Sequence, residues 1–211
     1  MSRRPTETTP DNLREENITK ILDAADRTFR HFGYGKTTVA DIASDLGMST
    51  ANIYRFFASK VEIHQALCAR MLQVCRDCVQ DVRNMPSSAE SRLREFVRVH
   101  HEWTLETMLD QSKVHEMIIV AIERDWPVFE THIDLLQGIV SEIIEEGVAA
   151  GEFPEQDHVL ASRCFGAATV TLCHPQVVSQ GFYKKHRASV DDITDFAISA
   201  LKNATPRNPV A

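Results

Sequence analysis

Residues 38–60 read TVADIASDLGMSTANIYRFFASK, and the fold is decided here. Thr38 with Asp41 three residues on resembles a capping box, with Asp in place of the usual Glu. Ile42, Ala43 and Leu46 then form the inner face of a short helix. Gly47 stands where a tight turn needs positive φ or a close approach. Ser49 or Thr50 caps a second short helix running through Ile53 to Phe57. Ala43 is small enough for two helices to cross closely over it, and Ile42, Leu46 and Ile53 lock the crossing. A short helix, a glycine turn and a second short helix form the geometry that places the second helix in a DNA major groove.

Working outward from this segment, every element reads as helix. Upstream, Ile18, Leu22, Ala25, Phe29 and Phe32 recur in steps of three and four over about 15–32, and Gly33 and Gly35 stop that helix. Downstream, Ser59-x-x-Glu62 is a fuller capping box opening a long helix with Ile63, Leu67, Met71 and Val74 as its stripe. Further helices are expected over about 88–110, with Leu93, Phe96, Val97 and Trp103 in the core, and over about 113–123. Pro127 suits the first turn of the next, which runs to Gly151. Two more cover about 157–172, before Pro175, and about 191–202. No alternating strand pattern and no fixed repeat occur. The expected class is all-α with about nine helices.

The 211 residues fit one large domain or a small domain joined to a larger one. The net charge of −7 is wrong for a DNA binder until it is divided. Residues 1–60 carry nine Lys/Arg and eight Asp/Glu, or +1; residues 61–211 carry fourteen and twenty-two, or −8. The small N-terminal module would therefore approach phosphate first. No apolar run is long enough for a transmembrane helix. The opening MSRRPTETTPDNLREE has no apolar stretch after its basic residues, unlike a secretory signal. A cytoplasmic location is expected, with the five cysteines as reduced thiols. No G-x-S-x-G, H-E-x-x-H, P-loop or dinucleotide glycine pattern is present, so an enzyme is not expected.

The residues quoted above resemble the TetR (tetracycline-repressor-like) family. Thr38, Ile42-Ala43, Gly47, Tyr54, Phe57 and Lys60 stand at the spacings of its motif, within a match over about 17–65. EEGVAAGEF (145–153), closing a long helix, is a weaker likeness. The resemblance implies a disordered arm (1–14), a helix-turn-helix domain (15–60), an effector-binding and dimerisation domain (61–203) and a flexible tail (204–211). It also implies roles at DNA. Thr38 caps a helix whose N-terminal amides face a phosphate. Thr50, Ala51 and Asn52 face base edges, Asn52 able to pair with adenine and Ala51 to touch a thymine methyl. Tyr54 offers its hydroxyl and Lys60 its charge to phosphates. Arg55 reaches a phosphate or a guanine. Val39 and Ala40 stand where some members place polar or basic side chains, so shape readout gains weight.

The resemblance further implies a homodimer on double-stranded DNA, paired through the last two helices, with Phe165, Val170, Phe196, Ile198 and Leu201 as candidate contacts. It implies a cavity for a small-molecule effector, with Trp103, Met108, Met117, Trp126, Phe129 and Phe165 as candidate lining. The expected function is a ligand-responsive transcriptional regulator, a repressor released from a palindromic operator. The alternative is a chromosome-organising or partner-linking DNA-binding protein without promoter control. Cys68, Cys75 and Cys78 lie roughly on one helical face, and Cys164, Cys173, His174 and His132 add soft ligand types. Free cysteines are commonly buried, and zinc knuckles sit in tight loops rather than mid-helix. No metal site and no cofactor are expected.

Overall fold

The computed structural model describes residues 10–109, 112–124, 127–181 and 188–205. Among them lie ten α-helices and no strand: α1 (Pro10–Phe32), α2 (Val39–Asp45), α3 (Thr50–Ile53), α4 (Lys60–Arg83), α5 (Ala89–Thr104), α6 (Ser112–Glu123), α7 (Pro127–Ala149), α8 (His158–Cys173), α9 (Pro175–Gly181) and α10 (Val190–Lys202). A π-helical turn, Leu105–Leu109, follows α5. None of the described helices is long and apolar enough to cross a membrane. The helix that sequence reading does not anticipate is α9. Pro175 reads in the sequence only as the end of a helix, but it occupies the first position of a new one, where its missing N–H costs nothing. Pro10 does the same for α1, so residues 10–14, expected in the arm, are helical. Residues 1–9 and 206–211 lie outside the described residues.

The chain divides into two compact units between Arg70 and Met71, within α4. The division falls ten residues later than the sequence suggests, because the first turns of α4 pack with α1. The His64 ring stacks near those of Phe29 and Tyr34, with centroids 5.7 and 4.2 Å away. Arg70 pairs with Asp23 at 2.7 Å. The N-terminal core is Ile21, Ala25, Phe29, Ile42, Ile53, Ile63 and Leu67, all fully buried. Phe32, expected on the inner face of α1, is exposed. Gly33, at φ 85°, turns the chain at once and brings Tyr34 inward instead.

In the C-terminal unit α5, α7, α8 and α10 pack around Leu93, Phe96, Val140, Ile143, Ile144, Phe165 and Ile198. The α4 stripe steps in fours from Met71 to Cys75 to Val79, which leaves Val74 exposed. The start of α5 has two caps. The Ser88 hydroxyl accepts the Ser91 N–H, and the Glu152 carboxylate accepts the N–H groups of Ala89 and Glu90 at 2.9 and 3.2 Å. Glu152 reaches them because the chain turns back at Gly151 (φ 76°) under Gly147, where α7 has no room for a side chain.

Candidate DNA-reading surface and effector cavity

The capping box at Thr38 forms as the sequence reads. Thr38 N–H and hydroxyl both donate to the Asp41 carboxylate at 2.7 Å, and the Asp41 N–H returns to the Thr38 hydroxyl. These bonds hold the Asp41 carboxyl below its ordinary range, first through the side chain of Thr38 and then through its backbone. The Thr38 hydroxyl is thus fully used in capping, and the amide end of α2 is what remains for an anion. Arg27 of α1 pairs with Asp45 at the other end of α2 at 2.6 Å. After α2 the chain turns at Gly47, φ 64°.

Ser49 is the residue that caps α3, accepting the Asn52 N–H at 3.2 Å. Only one turn of α3 is regular, but its hydrogen bonding continues: Tyr54, Phe56 and Phe57 donate back to Thr50 and Ile53. Ile53 and Phe57 are buried and fix this turn, while Thr50, Ala51, Tyr54 and Arg55 project into solvent. Tyr54 is 52% exposed, a large value for an aromatic side chain. Asn52 is half-buried, its amide 3.5 Å from the Met48 sulfur. The Arg55 guanidinium has no hydrogen-bond or ion-pair partner among the described residues.

Lys60 is placed differently from the rest. Its ammonium donates to the carbonyls of Tyr34 and Thr37, both at 2.9 Å, and lies 4.4 Å from the centre of the Tyr34 ring. The first residue of α4 therefore clamps the loop leading into α2. The family resemblance offers it only as a phosphate contact. The structural work it does, through carbonyls 23 and 26 residues upstream, carries no signal in local spacing.

The C-terminal unit holds a cavity of about 720 Å³, within the range of small-molecule sites. Of the candidate lining residues, Trp103, Phe129 and Phe165 border it. Met117 is fully buried and is not among its walls. Trp126 and the side chain of Met108 lie outside the described residues. Sequence reading does not place any polar residue in the cavity wall, which includes His100, Ser162, Thr169 and the charged Glu130, Asp134 and Arg163, together with His132 and His174, named from sequence only as soft ligand types. His100 is positioned from below. The Thr104 hydroxyl donates to the carbonyls of His100 and Cys173 at 2.8 and 3.2 Å, and His101 Nδ1 lies 2.6 Å from the Leu172 carbonyl, tying α5 to the end of α8. Burial, aided by neighbouring His101, pulls the His100 pKa down to about 4; burial, then His100 and Arg76, does the same at His132. Both imidazoles are neutral at pH 7. Histidines standing in an apolar stripe, His100 four after Phe96 and His132 four before Leu136, are the signal that could have found them.

Two sequence profiles match the two units. The profile of bacterial regulatory proteins of the tetR family matches residues 21–67, and that of the tetracyclin repressor-like C-terminal domain matches residues 89–194. The chain belongs to the TetR family. That family's N-terminal profile is one of bacterial regulatory proteins. The HTH-type transcriptional regulator TtgR of Pseudomonas putida is 42% identical over 53 residues, which is 25% of this chain and 25% of that protein. The chain thus spans about a quarter of the length of that curated relative. A TetR/AcrR-family regulator from Thermobifida fusca superposes with a TM-score of 0.66 at 21% identity, covering 91% of this chain and 100% of that one. The TetR-family regulator PfmR from Thermus thermophilus gives 0.56 at 22% identity, covering 89% and 99%. The fatty acid degradation regulator FadR from Bacillus halodurans gives 0.59 at 17%, covering 95% and 97%. These likenesses concern the fold.

Proposed function

We propose that the protein is a ligand-responsive repressor that binds a palindromic operator as a homodimer and leaves it when a small molecule enters the C-terminal cavity. The cavity is the observation that carries this reading. It is about 720 Å³, walled largely by apolar side chains including Trp103, Phe129 and Phe165, with the neutral polar groups of His100, Ser162 and Thr169 and the charged Glu130, Asp134 and Arg163 also on its border. Such walls suit a largely apolar molecule bearing one or two hydrogen-bonding groups. Leu72 of α4 stands in the same wall, and α4 opens at Lys60. An occupant that favours one setting of α4 would change the affinity for DNA by the ratio of its affinities for the two settings.

At the operator, Thr50, Ala51 and Asn52 face base edges, and Tyr54 and Arg55 meet phosphates or a guanine. The exposure of Tyr54, and an Arg55 guanidinium without a partner among the described residues, support these roles. Thr38 contributes the amide end of α2. Lys60 contributes charge and holds the loop before α2 in place. The dimer forms through α8 and α10, which pack on one another. They leave Val159, Leu160, Val170 and Phe196 exposed, Phe196 at 73%. Of the contacts suggested from sequence, Phe165, Ile198 and Leu201 are instead buried within the chain. A patch of this kind on adjacent helices is the usual mark of an interface.

The test is selection of fragments from the source genome by the purified protein at near-physiological salt. The expected result is one or a few palindromic sites, with half-sites about one helical turn apart. Their occupancy should fall when a compound that quenches Trp103 fluorescence is added. Enrichment without a shared palindrome refutes the dimeric reader, and quenching without any change in DNA affinity refutes the ligand response.

A further inference from the structure

At the edge of the cavity, three helices bring together Cys75 of α4, His100 of α5 and His132 of α7, the two histidines also lining the cavity. One ligand-type atom from each lies within 4.8 Å of the other two. Cys75 is fully buried and His132 is 5% exposed. The Nδ1 of His132 has no hydrogen-bond partner among the described residues. A buried ring nitrogen without a partner is costly and calls for a reason. Ring packing with His100, at 6.3 Å between centroids and 84° between planes, leaves that nitrogen unsatisfied.

We propose that Cys75, His100 and His132 form a binding site for a thiophilic d10 metal ion, Zn²⁺ or Cu⁺. The donor set selects this class. Thiolate and imidazole suit zinc and cuprous ions, whereas calcium and magnesium require oxygen ligands. With Zn–S near 2.3 Å and Zn–N near 2.0 Å, tetrahedral ligands stand about 3.3–3.6 Å apart. The three atoms, within 4.8 Å of one another, have at most about 1.2–1.5 Å to close to reach that spacing, a distance side-chain rotation supplies. Both imidazoles are held neutral by burial, the state that donates a lone pair. Binding forms one metal–sulfur and two metal–nitrogen bonds and releases the Cys75 thiol proton to solvent, with no change of oxidation state. Three protein ligands leave a fourth position on zinc. His100 and His132 also line the cavity, so water or a donor atom of a cavity occupant fills it.

The experiment uses the full-length, reduced protein, stripped with a chelator and titrated with Co²⁺ as a spectroscopic stand-in for zinc, then separately with Cu⁺ against a competing chelator. One Co²⁺ per chain is expected, with a thiolate-to-cobalt absorption band in the near ultraviolet that Zn²⁺ abolishes on displacement. Cys75→Ser removes the band, His132→Gln weakens Co²⁺ binding at least tenfold, and Cys78→Ser leaves both unchanged. No band and no Cu⁺ uptake in the wild-type protein overturns the proposal, as does a band that survives Cys75→Ser or disappears in Cys78→Ser. If Cys75→Ser does not fold, by circular dichroism, His132→Gln decides: unchanged affinity overturns the site. The readout involves neither DNA nor an effector, so it stands apart from the fate of the regulatory reading.

Discussion

Replacing Gly147 and Gly138 by alanine, one at a time, tests the packing that sets the C-terminal unit. Both lie inside α7. In a helix interior alanine is favoured over glycine by about 1 kcal/mol, because glycine loses more backbone entropy on folding. That gain applies to both variants and cancels between them. What differs is space. A Cβ at Gly138 meets nothing within 4 Å. A Cβ at Gly147 comes within 2.5 and 2.6 Å of the Phe153 ring and 2.7 Å of the Ala89 Cβ. The Phe153 ring is buried, and Ala89 is the first residue of α5, fixed by its N–H bond to Glu152. Neither can withdraw without moving backbone, so an overpacking cost of about 1–3 kcal/mol is expected. Gly138→Ala should therefore be stabilised by about 0.5–1 kcal/mol. Gly147→Ala should fall about 1–3 kcal/mol below it. The assay is urea unfolding followed by circular dichroism, at one fixed protein concentration because the proposed dimerisation would shift the midpoint. Equal stability of the two variants would refute the claim that α7 and the α5 terminus meet without room for a methyl group.

Three further outcomes are expected. Arg55→Ala should weaken binding to all DNA sequences similarly and reduce the salt dependence of log K by about 2 for a dimer, one phosphate contact per subunit; anisotropy titrations at several salt concentrations measure it, and an unchanged slope removes Arg55 from the phosphate contacts. Phe196→Asp should yield a monomer by sedimentation and lose most operator affinity, while thermal unfolding of the isolated chain changes little, since the side chain is 73% exposed; a stable dimer places the interface elsewhere. In chelator, acid should destabilise the protein between pH 6.5 and about 4. His100 and His132 are depressed from 6.5 to about 4 in the folded state, so the unfolded chain takes up protons first as pH falls. Their stabilising effect is complete above 6.5 and is lost through that window, by up to about 1.4 kcal/mol per pH unit for each histidine. The double variant His100→Gln/His132→Gln should show a flatter profile; an equally steep one assigns the loss to other groups.

The DNA-reading end was legible because its determinants are local. A capping box spans four residues, a turn glycine marks its own position, and Ile53 and Phe57 sit four apart on one turn. Each is a short-range rule, and the structure returns the Thr38–Asp41 bonds and the positive φ of Gly47. The alternative caps Ser49 and Thr50 are inseparable by sequence, since either hydroxyl suits the position; geometry selects Ser49. Lys60 shows where locality ends. Its partners are carbonyls, which have no side-chain identity, so no residue pattern announces them.

The cavity fails to show in the sequence for a related reason. Met117 and Phe165 have the same apolar character, yet one is core and the other borders a void. Periodicity reports which face of a helix is inward, not whether the opposing helix reaches it. The residues that break this degeneracy are polar ones set in apolar stripes. His100, His132 and Cys75 each occupy a position that a leucine would fill at lower cost, since an imidazole nitrogen in an apolar site must be satisfied. One such substitution on one helix is a packing accident. Three from three helices, converging within 4.8 Å, are better explained by a shared ligand than by three separate accidents, and this is what distinguishes the trio from the Cys75-x-x-Cys78 spacing that sequence alone brought forward.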